Sequence, residues 1–369
     1  MSLLASLLPT LIVFGVLILI HEFGHFMACR LTGVRVEKFS IGFGPEILTF
    51  ERGGTRYAIS LLPLGGFVKP AGESFSELEN KPPVPGDYLA APLLSRIFIV
   101  SAGVLMNYVL AFVLFAAVFM MGRPVPGTVV GGFVDGYPAK TSGLAIGDKI
   151  TRIGAKSVDS WAALTDAINT TAQDEVLLTV HHRDGTDGVV SIRPKVETGQ
   201  DLFGKPMTAR RLGITPSPES QRYEKFGVKQ SLKHGFESVY TLAAMTYKAI
   251  FYMATGRMSM KAMSGPIGIM AMTGSAAKLG LPYLLQLAAT LSVSLAVINL
   301  LPIPALDGGH LLFLLIEGVI RRPLGRKAEE RLTQAGFFAL MALMVFVIYN
   351  DLINLSVFDK IRTLFTRGG

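Results

Sequence analysis

The 369-residue sequence holds a single cysteine, Cys29. An intramolecular disulfide and a cysteine-rich zinc module are both excluded. Charge is the second scarcity. Asp, Glu, Lys and Arg make up 17% of the residues, against about 25% in soluble domains. With 50% apolar residues and a mean hydropathy of +0.46, part of the chain must avoid water. A disordered tail, a collagen-like fibre and a wholly water-facing globule are excluded together. No basic residue precedes the first apolar run, which argues against a cleaved signal peptide there.

What is abundant is apolar sequence in long runs. About 20 such residues cross a bilayer, and four segments qualify: 3–31, 97–121, 284–301 and 335–349. The net charge of +8 is explained by where it falls. The first connection carries Arg35, Lys38, Arg52, Arg56, Lys69, Lys81 and Arg96, and the short third connection carries Arg321, Arg322, Arg326, Lys327 and Arg331. The positive-inside rule makes both cytoplasmic and puts the region between spans two and three outside. The basic balance is thus topological, and nucleic acid is not expected as a partner. That outer region, about 124–233, alternates strand-like runs (129–134, 176–182, 188–192) with turns and one helix, Trp161–Thr170. This pattern predicts a small α+β domain. Residues 231–255 have helical apolar spacing with Lys233, His234, Glu237 and Lys248 interspersed, which suits a helix lying in the membrane interface.

The first span is interrupted by His21-Glu22-Phe23-Gly24-His25, an H-E-x-x-H pattern. On a helix the two imidazoles share a face and grip one metal ion, with the glutamate placed as general base. Three ionisable groups inside an apolar span are costly unless they are paired or functional, and a metal supplies the pairing. A catalytic zinc needs a third protein ligand. The candidates stand together at the end of the third span, in Asn299-Leu-Leu-Pro-Ile-Pro-Ala-Leu-Asp307-Gly-Gly-His310. Span one reaches His21 about 27 Å from Leu3, at about 1.5 Å per residue, and span three brings Asp307 to a similar depth. Asp307 is preferred and His310 is the alternative. A metal-binding transporter or receptor would use the same histidines but would not need Glu22.

H-E-F-G-H in a first span followed by N-L-L-P-I-P-A-L-D-G-G-H in a later one resembles the site-2 family of intramembrane zinc metalloproteases, in its regulator-of-sigma-E branch. F-S-I-G-F-G-P at 39–45, L-P-L-G-G-F-V-K at 62–69 and S-G-P-I-G-I at 264–269 extend the resemblance over nearly the whole chain. It implies one Zn2+ held by His21, His25 and Asp307, with Glu22 activating water. It also implies substrate contacts from Asn299 and from a β-structured loop containing Gly42 and Gly44, which dips into the membrane from the cytoplasmic side. Residues 136–150, G-Y-P-A-K-T-S-G-L-A-I-G-D-K-I, look like a bacterial PDZ stretch in which Asp148 fastens a turn. There is room for one such domain, where some members carry two. In span two, Ala102-Gly103-Val104-Leu105-Met106-Asn107 departs from the usual A-G-P-x-x-N. His181 and His182 are adjacent on a strand, so they face opposite ways.

The expected fold is a polytopic α-helical membrane protein with four transmembrane helices, a membrane-associated β-hairpin loop and one extracytoplasmic α+β PDZ domain. The expected division is 1–123 (spans one and two with the loop), 124–215 (PDZ), 216–280 (interfacial helix and connecting loop) and 281–369 (spans three and four). The implied partners are the lipid bilayer, single-span membrane substrates such as an anti-sigma factor or signal-peptide remnants, and an upstream site-1-type protease. The implied location is a bacterial inner membrane.

Overall fold

A computed structural model describes residues 3–73, 82–200, 206–260, 263–322 and 325–354. Lys81, counted above among the cytoplasmic charges, lies outside them. The chain divides into two compact units, one made of 1–117, 231–250 and 259–369, the other of 118–230 and 251–258.

The first unit begins with α1 (Leu3–Thr32), continues through β1 (Val36–Arg52) and β2 (Thr55–Pro70), and enters α2 (Leu93–Met121). Residues 38–41 of β1 pair on one side with 66–69 of β2 and on the other with 56–59. Two long bent strands thereby make a curled sheet whose outer edge, near Val68, lies against α1. Gly42 and Gly44 sit at φ +90° and +88°, and a Cβ at Gly42 would stand 2.6 Å from the Leu62 carbonyl oxygen. Both glycines are needed for the bend itself.

The second unit opens with the far end of α2, then β3 (Arg123–Pro126), β4 (Val130–Phe133), β5 (Lys149–Ile153) and β6 (Lys156–Ser157). It continues through α3 (Trp161–Thr170), β7 (Val176–His181), β8 (Asp187–Ile192), β9 (Lys195–Gln200), β10 (Pro206–Arg211), β11 (Ile214–Pro216) and β12 (Gln221–Glu224). A four-stranded sheet runs β6-β5-β7-β8, and β3 pairs with β12, β4 with β11 and β9 with β10. Strict alternation buries Val176, Leu178 and Val180 of β7 against Leu164, Ala167 and Ile168 of α3. Ser160 caps α3 by accepting the Ala163 N–H. The Asp148 carboxylate accepts the Ala145 N–H at 2.9 Å, closing the turn expected of it. His181 pairs with Asp187 and His182 with Asp148, so the two histidines serve different partners.

The chain then forms α4 (Val228–Ala254), α5 (Pro266–Leu279), α6 (Leu281–Asn299), α7 (Asp307–Ile320) and α8 (Arg326–Asn354). Among the described residues four helices are long and apolar enough to cross a membrane, within α1, α2, α6 and α8. The stretch read as a connecting loop before the third span contains α5, started by Pro266 at its first turn and stopped by Gly280 at φ +115°. At 14 residues it is too short to register as a span, yet it packs against both α1 and α8. Asp351 of α8 fastens its N-terminus, accepting the Gly265 and Gly268 N–H groups at 2.8 and 2.9 Å. The third span ends at Asn299, and Asp307 begins a separate helix.

Candidate active site and metal centre

Three side chains from two helices converge in the first unit. His21 and His25, four apart on α1, bring their Nε2 atoms to 3.2 Å from each other. Asp307 Oδ2 stands 3.1 Å from His21 Nε2 and 3.6 Å from His25 Nε2. Asp307 opens α7 directly after the turn 300–306, where Ala305 takes φ +89°. Cβ atoms at Gly308 and Gly309 would stand 2.2 Å from the Leu301 and 2.4 Å from the Ile303 carbonyl oxygen. The two glycines therefore let α7 start hard against its own preceding turn, and this aims Asp307 at the histidines.

The triangle fits a metal. Ligands about 2.0–2.1 Å from a tetrahedral zinc are separated by about 3.3–3.4 Å, close to the three distances observed. The short approach of Asp307 Oδ2 to the imidazoles lacks hydrogen-bond geometry, and this buried oxygen has no hydrogen-bond partner. An orphaned carboxylate oxygen facing two nitrogens is costly unless a cation sits among them. His25 donates Nδ1–H to the Ile99 carbonyl at 2.8 Å, which leaves its Nε2 lone pair free for a ligand role. His21, 7% exposed, has its Nδ1 at 3.1 Å from Asn107 Nδ2. Among the described residues this is the cluster with metal-binding geometry, and it does not include His310.

Glu22, beside the triangle on α1, accepts the Val68 N–H at 3.1 Å. That donor lies on the outer edge of β2, so the curled sheet fixes one carboxylate oxygen. All four groups face a cavity of about 700 Å³, which is also lined by Phe67, Val68 and Pro70 of β2, by His310 and by the Arg96–Glu317 pair. Arg96 and Glu317 form a two-point ion pair, with side chains 10% and 19% exposed. Burial raises the Tyr88 phenol on the cavity wall above its ordinary pKa. Asn299, Gly42 and Gly44 are not among the lining residues.

Two further residues of this site stand out in the sequence only as members of a span-two stretch, with nothing to say that they face the metal centre. A Cβ at Gly103 would fall 2.3 Å from His25 Nε2 and 2.9 Å from His21 Cε1, so α2 presents bare backbone to the imidazoles. Asn107, one turn on, is fully buried against His21. Both belong to the A-G-V-L-M-N stretch. Their importance lies in which face of span two meets span one, and helical periodicity does not reveal that in an apolar segment.

The model of the M50 peptidase family matches residues 9–343. A protein of Agrobacterium fabrum, provisionally named a zinc metalloprotease, is 32% identical over 365 residues, covering 95% of this chain and 96% of its own. One of Mesorhizobium japonicum with the same provisional name is 33% identical over 364 residues, covering 95% and 99%. The zinc metalloprotease RasP of Bacillus licheniformis is 30% identical over 427 residues, covering 94% and 98%. These matches select a peptidase over a metal transporter. The chain belongs to peptidase family M50, the site-2 group, and is a zinc metalloendopeptidase with, among the described residues, four helices long and apolar enough to cross a membrane.

Proposed function

We propose that this enzyme hydrolyses peptide bonds within the transmembrane segments of single-span proteins. The observation that carries the reading is that His21, Glu22 and His25 interrupt a helix that is otherwise an apolar span, and that Asp307 of α7 converges on the two histidines. In this reading the three converging atoms hold the zinc, which when bound polarises the scissile carbonyl and acidifies a water. Glu22 Oε2 is anchored by the Val68 amide, leaving Oε1 to take the proton from that water. The same carboxyl later delivers the proton to the leaving amine. General base catalysis of this kind contributes about 10²- to 10⁴-fold.

A transmembrane helix hides its peptide bonds, so the substrate must be extended before it is cut. The loop built from β1 and β2 offers a strand to pair with, and backbone of this kind at membrane depth is tolerated only against protein or water. Asn299 and the loop bent at Gly42 and Gly44 are assigned to hold the extended substrate strand. The second unit's 124–215 portion is assigned as an extracytoplasmic PDZ domain that filters substrates by size. The helix α4, with Phe236 and Tyr240 exposed, is assigned to the membrane interface within the 216–280 segment. The location assigned in this reading is a bacterial inner membrane with the active site toward the cytoplasm, supported by the basic residues of the first and third connections. The substrate classes are anti-sigma-like proteins already trimmed by a site-1-type protease, and signal-peptide remnants.

The test is reconstitution of the zinc-loaded enzyme with a single-span peptide in vesicles, with fragment ends located by mass spectrometry. New termini inside the apolar stretch are expected. Cuts confined to the flanking polar sequence would overturn the reading.

A further inference from the structure

Asn107 is buried at the meeting of α1, α2 and α6. Its backbone carbonyl accepts the Ser292 hydroxyl at 2.8 Å. Its side-chain Nδ2 lies 3.1 Å from His21 Nδ1, and its Oδ1 is buried without any partner. These facts combine with the metal triangle. If Nε2 of His21 faces the metal, the ring proton sits on Nδ1. Two donors would then oppose each other across 3.1 Å, while an acceptor on the same amide has no other claimant. Half a turn about the terminal torsion of Asn107 exchanges the two atoms with almost no change in shape.

We propose that Asn107 is the positioning residue of the His21 ligand: in the zinc-loaded enzyme its Oδ1 accepts Nδ1–H of His21. This rests on the reading of His21 as a zinc ligand. The contact fixes the tautomer, holds the ring plane toward Asp307 and makes Nε2 the better donor to the metal. The two histidines are thereby held in different ways. His25 is held by a backbone carbonyl, that of Ile99, which no substitution at Ile99 removes. His21 depends on a side chain and is the ligand exposed to mutation. Ser292 keeps α2 and α6 together at this level, and Gly103 leaves the space in which both rings stand.

Partners of this kind are worth about 10- to 100-fold in metal affinity. The experiment measures zinc affinity by chelator competition and the absorption bands of the cobalt-substituted protein, for the wild type, Asn107→Leu, Asn107→Asp and His21→Ala. Asn107→Leu fills a similar volume with no acceptor and is expected to weaken zinc 10- to 100-fold and to shift the cobalt bands. Asn107→Asp restores an acceptor and is expected to return affinity to within about threefold of wild type. Wild-type affinity and bands in Asn107→Leu would overturn the proposal, as would an Asp variant as weak as the Leu variant. If His21→Ala still binds zinc like the wild type, the ligand assignment itself has failed, a result distinct from either of those. Independently of any variant, 15N-histidine spectra of the zinc-loaded wild type must show His21 protonated at Nδ1; a proton on Nε2 refutes the proposal.

Discussion

Replacing Gly103 by alanine adds one methyl group, and its consequence is calculable. The new carbon would sit 2.3 Å from His25 Nε2, 2.6 Å from His25 Cε1 and 2.9 Å from His21 Cε1. Ordinary contact begins near 3.4 Å, so the His25 ring, or the whole of α2, must retreat by about 1 Å. Zinc sites tolerate about 0.2 Å in ligand distance. The required shift is several times larger, and it falls on a nitrogen read as a ligand. Alanine also favours helix over glycine by about 1 kcal/mol, which offsets part of the cost of that shift. Zinc affinity is expected to fall by at least the roughly 10- to 100-fold typical of a disturbed ligand shell, while the unfolding temperature of the zinc-free protein stays within a few degrees. Chelator competition on detergent-solubilised Gly103→Ala reads the first quantity, and circular dichroism the second. Gly199→Ala, where the added carbon meets nothing within 4 Å, serves as the control. Wild-type zinc affinity in Gly103→Ala would refute the packing argument and, with it, the placement of α2 against the imidazoles.

Two further outcomes follow from the cavity wall. Val68→Pro deletes the N–H that holds Glu22. Because this donor points away from β1, the ladder bonds survive. A hydrogen bond to a charged group is worth about 1.5–3 kcal/mol, so kcat is expected to drop roughly 10- to 100-fold with zinc content unchanged; lost zinc would show that the strand supports the metal instead. Arg96→Met strands the Glu317 carboxylate and is expected to destabilise the protein by about 3–5 kcal/mol, whereas Arg96→Met with Glu317→Met recovers most of it. Thermal unfolding reads both, and equal loss in the double variant would contradict the reading of a buried pair.

The parts of the site that sequence reveals are those written as local spacing. His21 and His25 are four apart, so any helix brings them to one face, and their cost inside an apolar run flags them. The choice between Asp307 and His310 is not local. It depends on the turn 300–306, with Ala305 at positive φ and two glycines pressed on the preceding carbonyls, which together point the first residue of α7 at the centre. α5 and α7 are 14 residues each and escape a search for spans, although Pro266 and Gly280 mark the ends of α5 plainly. Val104 in place of the usual proline leaves α2 an unbroken helix. Gly103 and Asn107 act across the gap between α1 and α2. In a segment apolar on every side, no pattern says which face looks at the zinc site.

The central claim is that Glu22 performs the proton transfers at a zinc held by its neighbours. Zinc content and cleavage measured on one preparation of Glu22→Gln, in vesicles with a single-span substrate, test it most directly. The account predicts one zinc per chain, as in the wild type, with cleavage lower by about 10²- to 10⁴-fold. Undiminished cleavage with zinc in place would contradict it.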